Sequence, residues 1–313
     1  MPQQTVARPG GAGGGGYAGL GPYGPAGPGF AALTGPYRRE LLAHCYRLLG
    51  SVDDAQDLVQ ETYLRAWRSY DGFQGRPSIR GWLYRIATRA CLDALRHGSR
   101  RRLPSGRAGS AGGVPQPIPD ILVVTASGDP EAMAVPARSL RLALVTGLQR
   151  LPGRQRAVLL LRDVLDFPAT EAAAILGISV PAAKSALQRA RANLHAAAPG
   201  WENEPPPRPR GRALLDQFVA AVETRDADAL QRLLPPSSPW FTGLPEPGEG
   251  DWRLLPTSAN GQHAAAAYLR APDTTHHGIG ILVLTTTATA ITRLTPFPDP
   301  ALLPAFDLPL RLP

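Results

Sequence analysis

Apolar residues recur at three- and four-residue spacing over Tyr37–Leu49, Asp53–Tyr70 and Ser78–Arg96, and each stretch predicts an amphipathic helix. The breaks between them, Gly50-Ser51 and Asp71-Gly72-Phe73-Gln74-Gly75-Arg76-Pro77, are made of turn formers, with Ser51 and Ser78 placed as N-caps. The helical period returns over Leu140–Leu151, Arg154–Leu165, Ala169–Leu176 and Val180–Ala197. Between the two helical stretches, residues 104–139 are rich in Pro, Gly and Ser with one short apolar run, Ile121–Val124, and read as a flexible linker. Residues 1–35 are low-complexity Gly/Pro/Ala with too little apolar content to offset chain entropy, so they are expected to be disordered. Beyond a Pro-rich hinge at 199–211, the pattern predicts a helix from Arg212 to Leu234, mixed loops, and a strand over Gly278–Thr289. The fold class is therefore multi-domain: an all-α domain at 36–103, a second at 140–198, and a small α+β domain at 212–313.

Charge changes this picture more than length does. Of the 313 residues, 33 are Gly and 34 Pro, so the ordered core is smaller than the length suggests. The net charge of +8 is not spread evenly. Residues 36–103 hold 13 basic against 7 acidic side chains, and residues 140–198 hold 8 against 3. Two separate basic helical segments point to a polyanion such as nucleic acid. No run approaches the ~18–20 apolar residues of a membrane helix, and the N-terminal residues lack the basic start and apolar run of a secretory signal. Cys45 and Cys91 are the only cysteines, far apart in sequence, so neither a disulfide framework nor a zinc site is expected, and the setting is cytoplasmic.

The clearest local motif is a helix-turn-helix. One helix ends at Leu176, Gly177-Ile178-Ser179 makes the turn, and a second helix starts at Val180. Gly177 allows the positive φ of a tight turn, and the small Ala173 lets the helices cross closely. Ile178, Ala183 and Leu187 would face inward. The outer face offers Lys184, Ser185, Gln188, Arg189 and Arg191, a set suited to base edges and phosphates in a major groove. A plain helical hairpin with an arginine-rich outer face has the same spacing.

With these residues in hand, the chain resembles the extracytoplasmic-function group of bacterial RNA polymerase sigma factors, in the sigma-70 superfamily. Asp54-Ala55-Gln56-Asp57-Leu58-Val59-Gln60-Glu61-Thr62 with Arg65-Ala66-Trp67 resembles the region 2 helix that docks on the polymerase clamp. Trp82-Leu83-Tyr84-Arg85-Ile86-Ala87 with Leu92-Asp93-Ala94-Leu95-Arg96 resembles the adjoining helix that engages the −10 element. Leu148-Gln149-Arg150-Leu151-Pro152-Gly153-Arg154-Gln155-Arg156 and Ser185-Ala186-Leu187-Gln188-Arg189-Ala190-Arg191 resemble region 4. The resemblance implies core RNA polymerase and promoter DNA as partners.

It assigns polymerase contact to Asp54, Asp57, Leu58, Gln60, Glu61, Leu64 and Trp67, an acidic and apolar stripe in a basic module. The alternative for that stripe is a solvated acidic face above ordinary core leucines. Capture of the melted −10 strand is implied for Phe73, Arg76, Arg80, Trp82, Arg85, Arg89 and Arg96, since aromatic and guanidinium planes stack on unpaired bases. Trp82 and Tyr84 serve equally well as core residues, and Arg100-Arg101-Arg102 as a phosphate-contacting extension or a solvated end. Reading of the −35 duplex is implied for Ser179, Lys184, Ser185, Gln188 and Arg189. Three departures stand out: Arg89 replaces a small polar residue, Ala186 a frequent arginine, and Ala169, Ala172 and Ala183 thin the region 4 core.

The tail resembles a fused SnoaL-like, NTF2-like domain through Phe218-Val219-Ala220-Ala221, Asp226-Ala227-Asp228-Ala229-Leu230, Arg253–Gln262 and Phe297-Pro298-Asp299-Pro300. Some relatives of that fold catalyse with Asp and His, which nominates Asp216, His263, His276, His277 and Asp299. None of these has the spacing of an acid/base pair or metal site. Only 11 residues separate Trp240 from Trp252, too few for the extra helix that completes a pocket in relatives. The expectation is a non-enzymatic sigma factor without cofactor or metal, acting away from membranes. Its tail is expected to dock on region 2 or the linker and restrain activity; a separate anti-sigma factor or a small ligand is left open. A stand-alone helix-turn-helix regulator is the alternative, and the region 2 motifs separate the two, because a repressor needs no clamp helix.

Overall fold

In the computed structural model, which describes residues 28–70, 73, 78–98, 115–123, 139–198, 209–234, 250–287 and 289–313, the helical half begins earlier than the hydrophobic pattern predicts. Helix α1 (Pro28–Thr34) and a 3-10 turn, Gly35–Tyr37, precede α2 (Arg38–Leu49). This corrects the expected disorder over its last residues; 1–27 lie outside the described residues. The cause is one side chain. Phe30 is buried, packed edge-on against Tyr63, Trp67 and Tyr70 at centroid distances of 6.5, 5.4 and 5.2 Å, and the Tyr63 hydroxyl donates to the Thr34 carbonyl at 2.9 Å. Burying a phenylalanine contributes roughly 1.5–3 kcal/mol, enough to order a short helix against a preformed aromatic wall.

The next two helices follow their sequence signals. In α3 (Val52–Arg68), Ser51 caps the N-terminus by accepting from the Asp54 amide at 3.2 Å. Val52, Ala55, Val59, Thr62 and Ala66 face inward with the period of an amphipathic helix. In α4 (Ile79–Gly98), Ser78 accepts from the Gly81 amide at 3.1 Å. The expected linker is fastened where it is described. Gln116 accepts from the Tyr46 hydroxyl at 2.6 Å and the Val52 amide at 2.9 Å, Ile118 is fully buried, and Asp120–Val123 forms a single turn, α5. Residues 104–114 and 124–138 lie outside the described residues.

The second helical set comprises α6 (Leu142–Gln149), α7 (Gly153–Leu159), α8 (Ala169–Leu176) and α9 (Val180–Ala197). The long helix expected over Arg154–Leu165 loosens after Leu159 into a π turn, Leu160–Val164. Gly177 adopts φ 65° at the turn between α8 and α9, as the helix-turn-helix requires. One hydrophobic core runs without interruption from Phe30 through Leu41, Tyr84 and Leu144 to Leu194, so the two helical modules share an interior.

The tail departs most from expectation. Its predicted helix is two, α10 (Pro209–Glu223) and α11 (Ala227–Leu233), broken where Arg225 takes φ 59° and Asp226 caps α11. The region expected as mixed loops is an antiparallel sheet in the order β1 (Trp252–Ala259), β2 (Gln262–Arg270), β3 (His276–Thr286), β4 (Ile291–Phe297), with β5 (Arg311–Leu312) paired to β3. Helix α10 covers one face through Leu215, Phe218 and Val222, and a 3-10 segment, Pro300–Phe306, covers the other. Because both faces of the central strands are buried, β2 and β3 lack the inside–outside alternation that announces a strand.

Candidate nucleic-acid interface and its surroundings

The outer face of α3 carries Asp54, Asp57 and Gln60 exposed, with Leu58, Glu61 and Leu64 half-buried. Glu61 pairs with Arg65 one turn on at 2.7 Å. Trp67 is 40% exposed although its ring meets Phe30, so an indole edge faces solvent beside the acidic stripe. These seven residues share one helix face.

On α4 the expected strand-capturing residues separate into three groups. Trp82 stacks on Phe73 at 4.7 Å and an interplanar angle of 32°, an aromatic pair at the edge of the loop. Arg80 is engaged but half-exposed: it reaches Glu40 at 3.2 Å and the Leu165 carbonyl at 3.4 Å, and lies 4.6 Å from the Phe167 centroid. Arg89 is exposed, Arg96 pairs with Asp93, and the Arg85 Nε is buried with no hydrogen-bond partner among the described residues. Tyr84 is core, fully buried, its hydroxyl on Glu40 at 3.2 Å. Arg76 and Arg100-Arg101-Arg102 lie outside the described residues.

On α9, Ala183, Leu187, Ala190 and Leu194 face the core while Lys184, Ser185, Gln188 and Arg189 form an exposed polar face. Ser179 begins that helix, accepting from the Ala182 amide at 3.3 Å. Arg191 is committed elsewhere, its Nε and Nη2 donating to the two carboxylate oxygens of Asp163 at 2.8 and 2.7 Å. Lys184 is the sole lysine in the chain and sits in the middle of this face.

The two helical modules meet at a seam where α4 packs on α8 and the turn that leads into α9. Tyr84 packs edge-on to Phe167 at 5.1 Å, and a Cβ built on Gly177 would lie 3.6 Å from an Arg89 nitrogen. Buried Arg156 donates to the Leu48 carbonyl, to Gln149 Oε1 at 2.6 Å, and to the Gln149 and Leu151 carbonyls at 2.9 and 3.1 Å. Buried Arg47 answers from the first module, donating to Ser139 Oγ at 2.6 Å. Burial pulls both guanidinium groups down to about 10 and holds the His44 imidazole, bound to Thr88 Oγ1 at 2.9 Å, neutral at about 3.

A second seam joins the tail to this body at α2 and the linker, where docking was expected, through a hairpin tip that sequence reasoning did not single out. The β1–β2 turn is Asn260-Gly261, with φ 58° and 65°, closed by the Ala259–Gln262 pair. Asn260 is fully buried. Its amide nitrogen donates to the Tyr46 hydroxyl at 2.7 Å and the Leu140 carbonyl at 2.8 Å, while its Oδ1 accepts from the Ile118 amide at 3.0 Å. The Gly261 amide donates to Asp120 at 2.7 Å, and Gln262 accepts from the Leu142 amide at 3.2 Å. One hairpin tip thus grips α2, the linker and the start of the second helical module. Burial raises the Asp120 carboxyl to about 6, against hydrogen bonds from Gly261 and Ser258 that lower it. The signal was available: Asn-Gly is the strongest dipeptide mark of a two-residue hairpin.

The tail's nominated acids and histidines do not converge. Asp216 pairs with Arg212 at 3.0 Å, His277 binds Asp273 and Thr275, Asp299 caps the 3-10 segment, His263 lies under Gly211, and His276 sits 3.8 Å from Asp251. Among the described residues no group of three His, Cys, Asp or Glu is placed to hold a metal.

Residues 33–101 match the family described as Sigma-70 region 2, and residues 141–194 the one described as Sigma-70, region 4. The ECF RNA polymerase sigma factor SigG of Mycobacterium tuberculosis is 42% identical over 313 residues, covering 90% of this chain and 84% of that one. SigJ of the same organism is 34% identical over 206 residues, 66% of this chain and 62% of that one. The crystal structure of SigJ superposes at a TM-score of 0.55 and 24% identity, covering 85% of this chain and 94% of that chain, a likeness of fold.

Proposed function

Because the chain belongs to the extracytoplasmic-function sigma factors of the sigma-70 superfamily, we propose that it binds core RNA polymerase and directs it to a set of promoters, working in the cytoplasm with the polymerase. Sigma factors are initiation factors and not enzymes. No helix among the described residues is long and apolar enough to cross a membrane. Asp54, Asp57, Leu58, Gln60, Glu61, Leu64 and Trp67 present the polymerase-docking face. Trp82 stacked on Phe73 awaits an unpaired −10 base, with Arg85, Arg89 and Arg96 along the strand. Lys184, Ser185, Gln188 and Arg189 read the −35 duplex from the exposed face of α9. Arg80 joins the −10 set only after it leaves Leu165 and Phe167.

The conformation supports a restrained state. Promoter elements named −10 and −35 are separated by about 25 base pairs, roughly 85 Å at ~3.4 Å per step. With α4 held against the helix-turn-helix turn at Gly177, α4 and α9 cannot serve both elements at once, so the seam between the modules must part on the promoter. The observation that carries the regulatory reading is Asn260, whose side chain ties Tyr46, Ile118 and Leu140 together. The tail acts as a pin through the region 2–linker–region 4 junction, a regulatory and not a catalytic part. The test uses the full chain with reconstituted polymerase. Asn260→Ala should raise promoter-dependent transcription, whereas Asp57→Ala should weaken polymerase binding and leave duplex binding by Arg189 intact. Absence of any binding to core polymerase would return the chain to the class of stand-alone helix-turn-helix regulators.

A further inference from the structure

A cleft of about 650 Å³ opens where α4 faces the α6–α7 turn and the end of α8. Leu92 and Leu95 of α4 and Leu176 of α8 give it an apolar wall, and Arg89, Arg96 and Arg154 stand around it. Asp93, which also lines the cleft, is paired with Arg96. Arg89 and Arg154 make no hydrogen bond or ion pair with another described residue, and both are exposed. Two uncompensated guanidinium groups therefore face one apolar hollow, one from each helical module. The volume falls within the ~300–1,000 Å³ of small-molecule sites. We propose that this cleft is a binding site for a nucleoside di- or triphosphate, with the phosphates between Arg89 and Arg154 and the base and sugar over the leucines. Guanidinium groups bind phosphate oxygens in pairs and also stack on planar rings, so both ends of such a ligand are met by residues already in place. A neutral ligand would leave the cations unanswered, and a bare anion would leave the leucines in water.

Occupancy has a consequence for the seam. The ligand touches α4 on one side and Arg154 on the other, so the modules cannot separate without releasing it, and binding favours the closed form by mass action. That consequence rests on the sigma-factor reading; the binding site does not. The test is calorimetric titration of the full chain, without polymerase, at low ionic strength. ATP and GTP should each bind saturably at one site. Arg154→Ala should weaken binding by about tenfold or more, and Arg154→Lys should recover part of the loss. Arg154 is exposed and outside the DNA-contacting set, so an unchanged melting temperature certifies the fold. Inorganic triphosphate and adenosine serve as half-ligands, each expected to bind more weakly than ATP. No saturable binding, binding untouched by Arg154→Ala, or inorganic triphosphate binding as tightly as ATP would overturn the proposal. None of these outcomes bears on polymerase binding, so the two readings fail separately.

Discussion

The two seams of this molecule are built from different chemistry. Between the helical modules, contact is a shared apolar core edged by Tyr84 on Phe167, with buried Arg47 and Arg156 bonded to carbonyls along its rim. Between tail and body, Leu142 packs on the sheet, but the described contact centres on one hairpin tip that is nearly all hydrogen bonds. Apolar contact is lost in proportion to the area removed, so the first seam degrades gradually when trimmed. A buried polar contact leaves orphaned donors and acceptors when one partner goes, each costing about 1–3 kcal/mol, so the second seam fails abruptly. A rigid body held by a polar pin suits a switch, since the pin is the part that a partner or a change of pH can dislodge.

The largest effect is expected at the polar rim of the first seam. Arg156→Ala strands three backbone carbonyls and should cost about 3–5 kcal/mol in urea-induced unfolding of the full chain. At the second seam, Asn260→Gly keeps the positive-φ turn while removing the side chain. It should loosen docking by about 2–3 kcal/mol, read as faster hydrogen exchange at the Ile118 and Leu142 amides with the sheet amides still protected. If the sheet amides lost protection as well, the pin would be part of the tail's own stability and the contrast between the seams would collapse.

The Asp120 carboxyl sharpens the comparison. Its docked pKa of about 6 lies above the ordinary carboxylate value, so the docked form holds the proton more tightly. Its stabilising contribution is then full below the ordinary value and is lost as pH rises through about 6. Docking should tighten by about 1 kcal/mol between roughly pH 7 and pH 5, and Asp120→Asn, which still accepts from Gly261, should abolish that dependence. Trimming the apolar seam with Phe167→Leu should cost about 1 kcal/mol without pH dependence. Arg191→Ala, which breaks an exposed pair with Asp163, should cost under about 1 kcal/mol in the same urea series.

Legibility from sequence followed the range of the interactions. The caps of α3 and α4, the inward period Val52, Ala55, Val59, Thr62 and Ala66, and the αL glycine at Gly177 are each decided within a few residues, and each was readable. Helix α1 was not, because Phe30 sits in Gly/Pro-rich sequence and its partners Tyr63, Trp67 and Tyr70 lie more than thirty residues on. The sheet was hidden by Ala264–Ala267, residues of low strand propensity whose value is to let α10 and the 3-10 segment approach both faces. The candidate site was legible as a set of side chains but not as an arrangement: Arg80 was expected among the −10 residues by position, yet the fold engages it with Leu165 and Phe167.

The sequence by itself determined the main helices from Arg38 to Ala197, where the helix-turn-helix turns, and which faces carry acid, arginine and amide groups, because periodicity and capping are local. Only the tertiary structure decided that the two modules share one core, that α4 packs on the first helix of the helix-turn-helix, and which hairpin docks the tail. Asn260-Gly261 shows the division. The dipeptide dictates a hairpin turn from its own backbone preferences, but the hydroxyl it reaches, Tyr46, is 214 residues away along the chain. Nothing in local chemistry selects so distant a partner; burial of the whole surface around it does.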